Sequence, residues 1–190
     1  MRVQSSFDSL IDLAKHHKQT FGRHVSAEIY RPIENQILAV VRMHDDYHDM
    51  RLAMLINGES LTIEGIDARM DRIPYPICEQ AIASLQSIKG VYIFKRGILK
   101  EIKTLIPRAF GCTHLGELIE AGLRSLFAEI EPSMLDKYKE QIASLTLEEK
   151  RHLFMRYETL KNTCVAFNTD TQDPKTVGCV EKVIEDLFKK

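Results

Sequence analysis

The stretch QILAVVRMHDDYHDMRLAMLING, residues 36–58, decides the fold. Its apolar residues recur at every second position: Ile37, Ala39, Val41 and Met43 share one face of an extended chain, and Met50, Leu52, Met54 and Ile56 share one face of the next. A period of two belongs to a half-buried β-strand, because successive side chains point to opposite faces. Asn57-Gly58 then offers the positive φ that a tight hairpin turn requires. Upstream, Val25, Ala27 and Ile29 alternate with Ser26, Glu28 and Tyr30. Downstream, Leu61 and Ile63 change parity to Ile66, Ala68 and Met70 across Gly65, which predicts a β-bulge. The pattern predicts about four strands in an antiparallel meander.

Beyond Pro74 and Pro76 the period lengthens to that of a helix. Ile77, Ala81, Leu85 and Ile88 form one stripe, and Ile98, Ile102, Leu105 and Ile106 form a second that Pro107 stops. The longest stripe is Leu115, Leu118, Ile119, Leu123, Leu126, Phe127 and Ile130, with Pro132 expected to end it. Met134, Leu135, Tyr138 and Ile142 follow, then a capping box, Thr146 with Glu149, before Leu153, Phe154, Tyr157 and Leu160. Asp173-Pro174 is expected to open a last helix carrying Val177, Val180, Ile184, Leu187 and Phe188. Strands first and helices afterwards predict an α+β fold with the helices packed on one face of the sheet. The expected organisation is an amino-terminal arm or short helix over 1–22, an α+β core over 23–131 and a carboxy-terminal helical extension over 132–190.

Charge narrows the function classes. The 190 residues carry 26 Lys+Arg and 27 Asp+Glu, a formal net charge of -1, so the surplus of cations that holds nucleic acid or an anionic membrane is missing. The amino terminus mixes acids, bases and two histidines among its apolar positions, unlike a signal peptide, and no stretch approaches the roughly 20 apolar residues of a membrane span. A cytoplasmic location is expected. There, four cysteines at irregular spacing read as thiols or metal ligands rather than disulfides. Phosphate-loop, nucleophile-elbow, dinucleotide and haem-attachment motifs do not occur.

Three segments place Cys, His or Asp where elements join: His44 to Met50 between the second and third strands, Pro74 to Cys78 after the last strand, and Gly111 to His114 at the head of the longest helix. Thiolate and imidazole together favour zinc or iron over magnesium or calcium. The candidate metal ligands are Cys78, Cys112 and His48 or Asp49, with His114 nearby. Cys112 has a second reading as a nucleophile, because a helix amino terminus favours the thiolate and His48 or His114 could serve as base on an acyl or thioester substrate. A third reading is an interaction protein with no chemical site. Cys164 and Cys179 are expected to pack against apolar neighbours.

The order His48-Asp49-Met50, then PYPIC at 74–78, then GCTHLGELI at 111–119, resembles a bacterial family known only as a domain of unknown function, from about Arg23 to Phe127 and on to NTCVAF at 162–167. In layout the chain is also distantly similar to the NifU/IscU-type iron–sulfur scaffold proteins. That resemblance matches Asp49 to the scaffold aspartate, Cys78 to its second cysteine and Cys112 to its third, while Tyr47 stands where the first would be and Gly111 replaces a histidine. With two matched cysteines it implies a single zinc or iron ion rather than a transferable cluster. The role implied is accessory, with a protein partner reading the helical extension.

Overall fold

The computed structural model describes residues 6–106, 111–134, 139–156 and 160–171. Four strands, β1 (Arg23–Tyr30), β2 (Gln36–Asp45), β3 (Asp49–Asn57) and β4 (Ile63–Arg72), pair antiparallel in the order β1-β2-β3-β4. The faces are those the alternation predicts. Ile37, Ala39, Val41, Met43, Met50, Leu52, Met54 and Ile56 are all buried, and their strand neighbours Arg42, Arg51 and Ala53 are exposed on the open face. The bulge is present: Leu55 pairs with Gly65 but Ile56 pairs with Ile63, so Glu64 is the extra residue that carries the buried face from Ile63 to Ile66.

The turn between β3 and β4 departs from the expected tight hairpin. Asn57 stays in β3, its side-chain oxygen accepts the N–H groups of Glu59 and Ser60, and the positive φ falls on Leu61. The side chain of Asn57 therefore closes a longer loop that a two-residue turn would not need. Gly58 serves a different purpose: its N–H donates to the Asn35 carbonyl at 2.7 Å, and an added Cβ would stand 3.1 Å from that oxygen.

Helices cover one face. The segment Pro76–Ile88 winds as a 3-10 helix rather than an α-helix and packs on β4 through Ala81, Leu85 and Ile88. The hydroxyls of Ser84 and Ser87 donate to the carbonyls three residues back, local bonds that compete with the α-helical ladder. Ile77, expected in the buried stripe, is 68% exposed because its turn overhangs a cleft instead of the sheet. Helix α1 (Phe7–Lys15) carries no buried residue, and α2 (Ile98–Leu105) buries Ile98 and Ile102.

The long helix α3 (Thr113–Met134) lies across β1, β2 and β3 and buries Leu115, Leu118, Ile119, Leu123, Leu126 and Ile130. Gly122 permits the close approach, since a Cβ there would stand 3.0 Å from Val41 Cγ2. The helix runs to Met134, two residues past the expected stop at Pro132, which stands in its final turn, where little of the ladder remains to be disrupted. Helix α4 (Lys139–Ala143) follows, then α5 (Leu147–Phe154) with its capping box formed in both directions between Thr146 and Glu149. Cys164 is exposed rather than packed, since it opens a single 3-10 turn at the surface. Pro107, Leu135, Tyr138, Tyr157, Cys179 and the helix expected after Asp173-Pro174 lie outside the described residues.

Candidate functional site

The site begins with a charge in a core position. Asp45 continues the inward parity of Ile37, Ala39, Val41 and Met43, and its side chain is 0% exposed. A carboxylate survives there only if its lone pairs are filled. Its oxygens accept the backbone N–H groups of Tyr47 and His48, each at 2.8 Å, the Arg23 Nε–H at 2.8 Å and the His48 Nδ1–H at 3.0 Å. Burial alone would raise this carboxyl, but the Tyr47 amide, the Arg23 guanidinium and the two His48 groups outweigh it and hold the carboxyl far below the usual range.

An ionised carboxylate can only accept, so His48 carries its proton on Nδ1 and keeps the Nε2 lone pair. The ring of His114 stands against it, centroid to centroid 4.1 Å. Arg23 Nη2 lies 3.4 Å from His114 Nε2, and a guanidinium only donates, so His114 turns its Nδ1–H toward Cys112 Sγ at 3.9 Å. Burial first, then the neighbouring His48 ring and the Arg23 guanidinium, push the affinity of His114 for a proton down, against a smaller opposite pull from Glu117 and Asp45. Arg23 Nη1 completes the cluster with Glu117 at 3.1 Å.

Cys112 immediately precedes α3, where the first amides of a helix have no acceptor within it. It is half-buried, as is Cys78, and both line one cleft of about 1030 Å³ together with His48 and His114. The three junctions therefore do bring four of the five singled-out residues to one cavity. Asp49 is not among them. It is paired with Arg42 Nη2 at 2.7 Å and His44 Nδ1 at 3.4 Å, and it does not line the cleft.

A scaffold-type cluster does not fit this arrangement, with Asp49 committed to Arg42 and Tyr47 exposed where a first cysteine would stand. Among the described residues no three His, Cys, Asp or Glu side chains group so as to hold a metal ion. Three members of the cluster, Asp45, Arg23 and Glu117, were not foreseen from the sequence. The available signal was Asp45 itself, a charge in register with four core residues and three positions before a histidine.

A family model described as Protein of unknown function (DUF2889) matches residues 23–125, which span β1 to α3 and include every residue of the cluster. No curated protein and no solved structure matches the chain. No helix among the described residues is long and apolar enough to cross a membrane.

Proposed function

The chain belongs to the DUF2889 family of proteins of unknown function, and from its own side chains we propose that it is a thiol-dependent acyl-transfer enzyme with Cys112 as nucleophile. The observation that carries this reading is the hydrogen bond between buried Asp45 and His48 Nδ1 at 3.0 Å. It supplies the orienting third member that a Cys–His pair needs and leaves the His48 Nε2 lone pair for a proton in the cleft that Cys112 also lines. In the reaction Cys112 Sγ attacks the carbonyl carbon of an ester or thioester, and its proton passes to His48 Nε2. The carbonyl oxygen takes up negative charge beside the first amides of α3. The bond to the leaving group breaks, and that alcohol or thiol departs with the His48 proton. Water then attacks the acyl-cysteine, gives a proton to His48 and releases the acid with the thiol restored.

The test is cysteine-resolved alkylation of the full chain by iodoacetamide, with intact-mass detection of acyl-enzyme from an acetyl thioester. Cys112 is expected to react well ahead of Cys78 and Cys164 and to lose roughly 100-fold in acylation rate in His48→Ala. Alkylation of Cys112 no faster than that of exposed Cys164 would overturn the proposal.

A second reading is favoured by the same hydrogen bond, because a carboxylate on the far nitrogen is also how a metal-ligating histidine is held. In it His48 Nε2, Cys78 and Cys112, which line one cleft but do not group closely enough to hold an ion as they stand, would have to draw together around one zinc or iron ion. Elemental analysis separates the two: about one equivalent of metal, with Cys78 and Cys112 protected together until a chelator is added, supports the ion.

A further inference from the structure

Two glycines on α3 have opposite surroundings. Gly122 faces the sheet, and the 3.0 Å approach of Val41 Cγ2 explains why no side chain stands there. Gly116, one turn beyond Cys112, has nothing among the described residues within 4 Å of the position its Cβ would take, and it lines the cleft. A glycine inside a helix costs about 1 kcal/mol relative to alanine. No packing constraint accounts for this one; what it leaves clear is the space beside Cys112.

The cleft that Gly116 keeps open is lined mostly by apolar surface, with polar side chains such as Gln80, Ser84 and Thr113 among it. Ile77, Ala81, Leu99, Ile102, Ile106 and Ile119 contribute to its walls. Its Lys, Arg, Asp and Glu side chains among the described residues are all paired, Lys103 with Glu120 at 3.3 Å inside the cleft and Glu117 with Arg23 outside it at 3.1 Å. At about 1030 Å³ it lies just above the ~300–1,000 Å³ typical of small-molecule pockets, more than a short acyl group would fill. The thiol and imidazoles share the cavity with these walls. Resting on the acyl-transfer reading, we infer that the acyl group is a medium-length aliphatic chain, seated in this cleft over Gly116 with its carbonyl at Cys112.

The experiment titrates the full-length Cys112→Ser chain with sodium hexanoate, octanoate and decanoate by calorimetry, then compares acetyl with octanoyl thioester as acyl donors for the native thiol. Affinity is expected to rise roughly fourfold per added methylene. Gly116→Leu is expected to weaken decanoate binding at least tenfold and to lower the octanoyl-to-acetyl transfer ratio by a similar factor. Gly116→Ala, which adds one methyl into open space, controls for folding and should fall between. Carboxylates that bind without regard to length or to Gly116→Leu, while the acetyl donor still acylates Cys112, would overturn the aliphatic assignment and leave the acyl-transfer reading standing. Length-dependent binding with no acylation by either donor would keep the aliphatic site and remove the enzyme.

Discussion

Asp45 Oδ1 lies 3.0 Å from His48 Nδ1, and the other oxygen of the same carboxylate holds Arg23 Nε at 2.8 Å, so one buried charge orients both the imidazole and the arginine beside it. Arg23 in turn reaches His114 and Glu117 on α3. The residues around Cys112 are thus tied to the turn between β2 and β3 through a single carboxylate.

Replacing that carboxylate tests the tie. Asp45→Asn removes the ionised partner of Arg23 while the arginine stays charged, and a broken buried pair costs roughly 3 kcal/mol. Urea unfolding at neutral pH should show that loss. The sign of its pH dependence follows from the depressed carboxyl: the contribution of Asp45 is fully present above its ordinary value of 3.8 and is lost as pH falls below it. The gap between native protein and variant should therefore narrow in acid, and a gap independent of pH would contradict the assignment.

His114 gives a second, separate slope. Its affinity for a proton is lowered on folding, by burial first and then by His48 and Arg23, so the unfolded chain binds the proton more readily. Stability from this group is complete above the ordinary histidine value of 6.5 and declines as pH falls from there toward the folded value. Unfolding free energies measured between neutral and mildly acid pH should fall less steeply in His114→Asn than in the native protein. Equal slopes would count against the tautomer and contacts given to this ring.

The two glycines of α3 should answer oppositely to alanine. Gly122→Ala forces a methyl against Val41, whose β-branched side chain is buried and cannot swing away, and about 1 kcal/mol of destabilisation is expected after the gain in helix propensity. Gly116→Ala meets no atom of the described residues and should raise the melting temperature, by an amount equivalent to up to about 1 kcal/mol. Thermal unfolding of the pair measures both.

The sheet was readable in the sequence because its two central strands bury one face only. Alternation at Ile37 to Met43 and Met50 to Ile56 states both the strands and their inward faces, and the parity change near Gly65 states the bulge. The winding of Pro76–Ile88 was not readable, since a stripe at spacings of three and four suits either helix type, and the hydroxyls of Ser84 and Ser87 act only once the chain has turned. Of the site, Cys78, Cys112, His48 and His114 announced themselves by residue type at element junctions. Asp49 was grouped with the cysteines by its closeness to His48 in the chain, whereas alternation sets it on the face opposite buried Met50, where Arg42 takes it up. Asp45 was passed over, although the inward parity of its strand already placed it in the core.

The order β1-β2-β3-β4 means that each strand finds its partner immediately along the chain, whereas Arg23 meets Glu117 across 94 positions. Loop-closure entropy makes the local pairings cheap and the distant one slow. A nascent or refolding chain can therefore possess its hairpins while Cys112 is still far from Asp45 and His48. On the acyl-transfer proposal, the docking of α3 is then the event that arms the thiol.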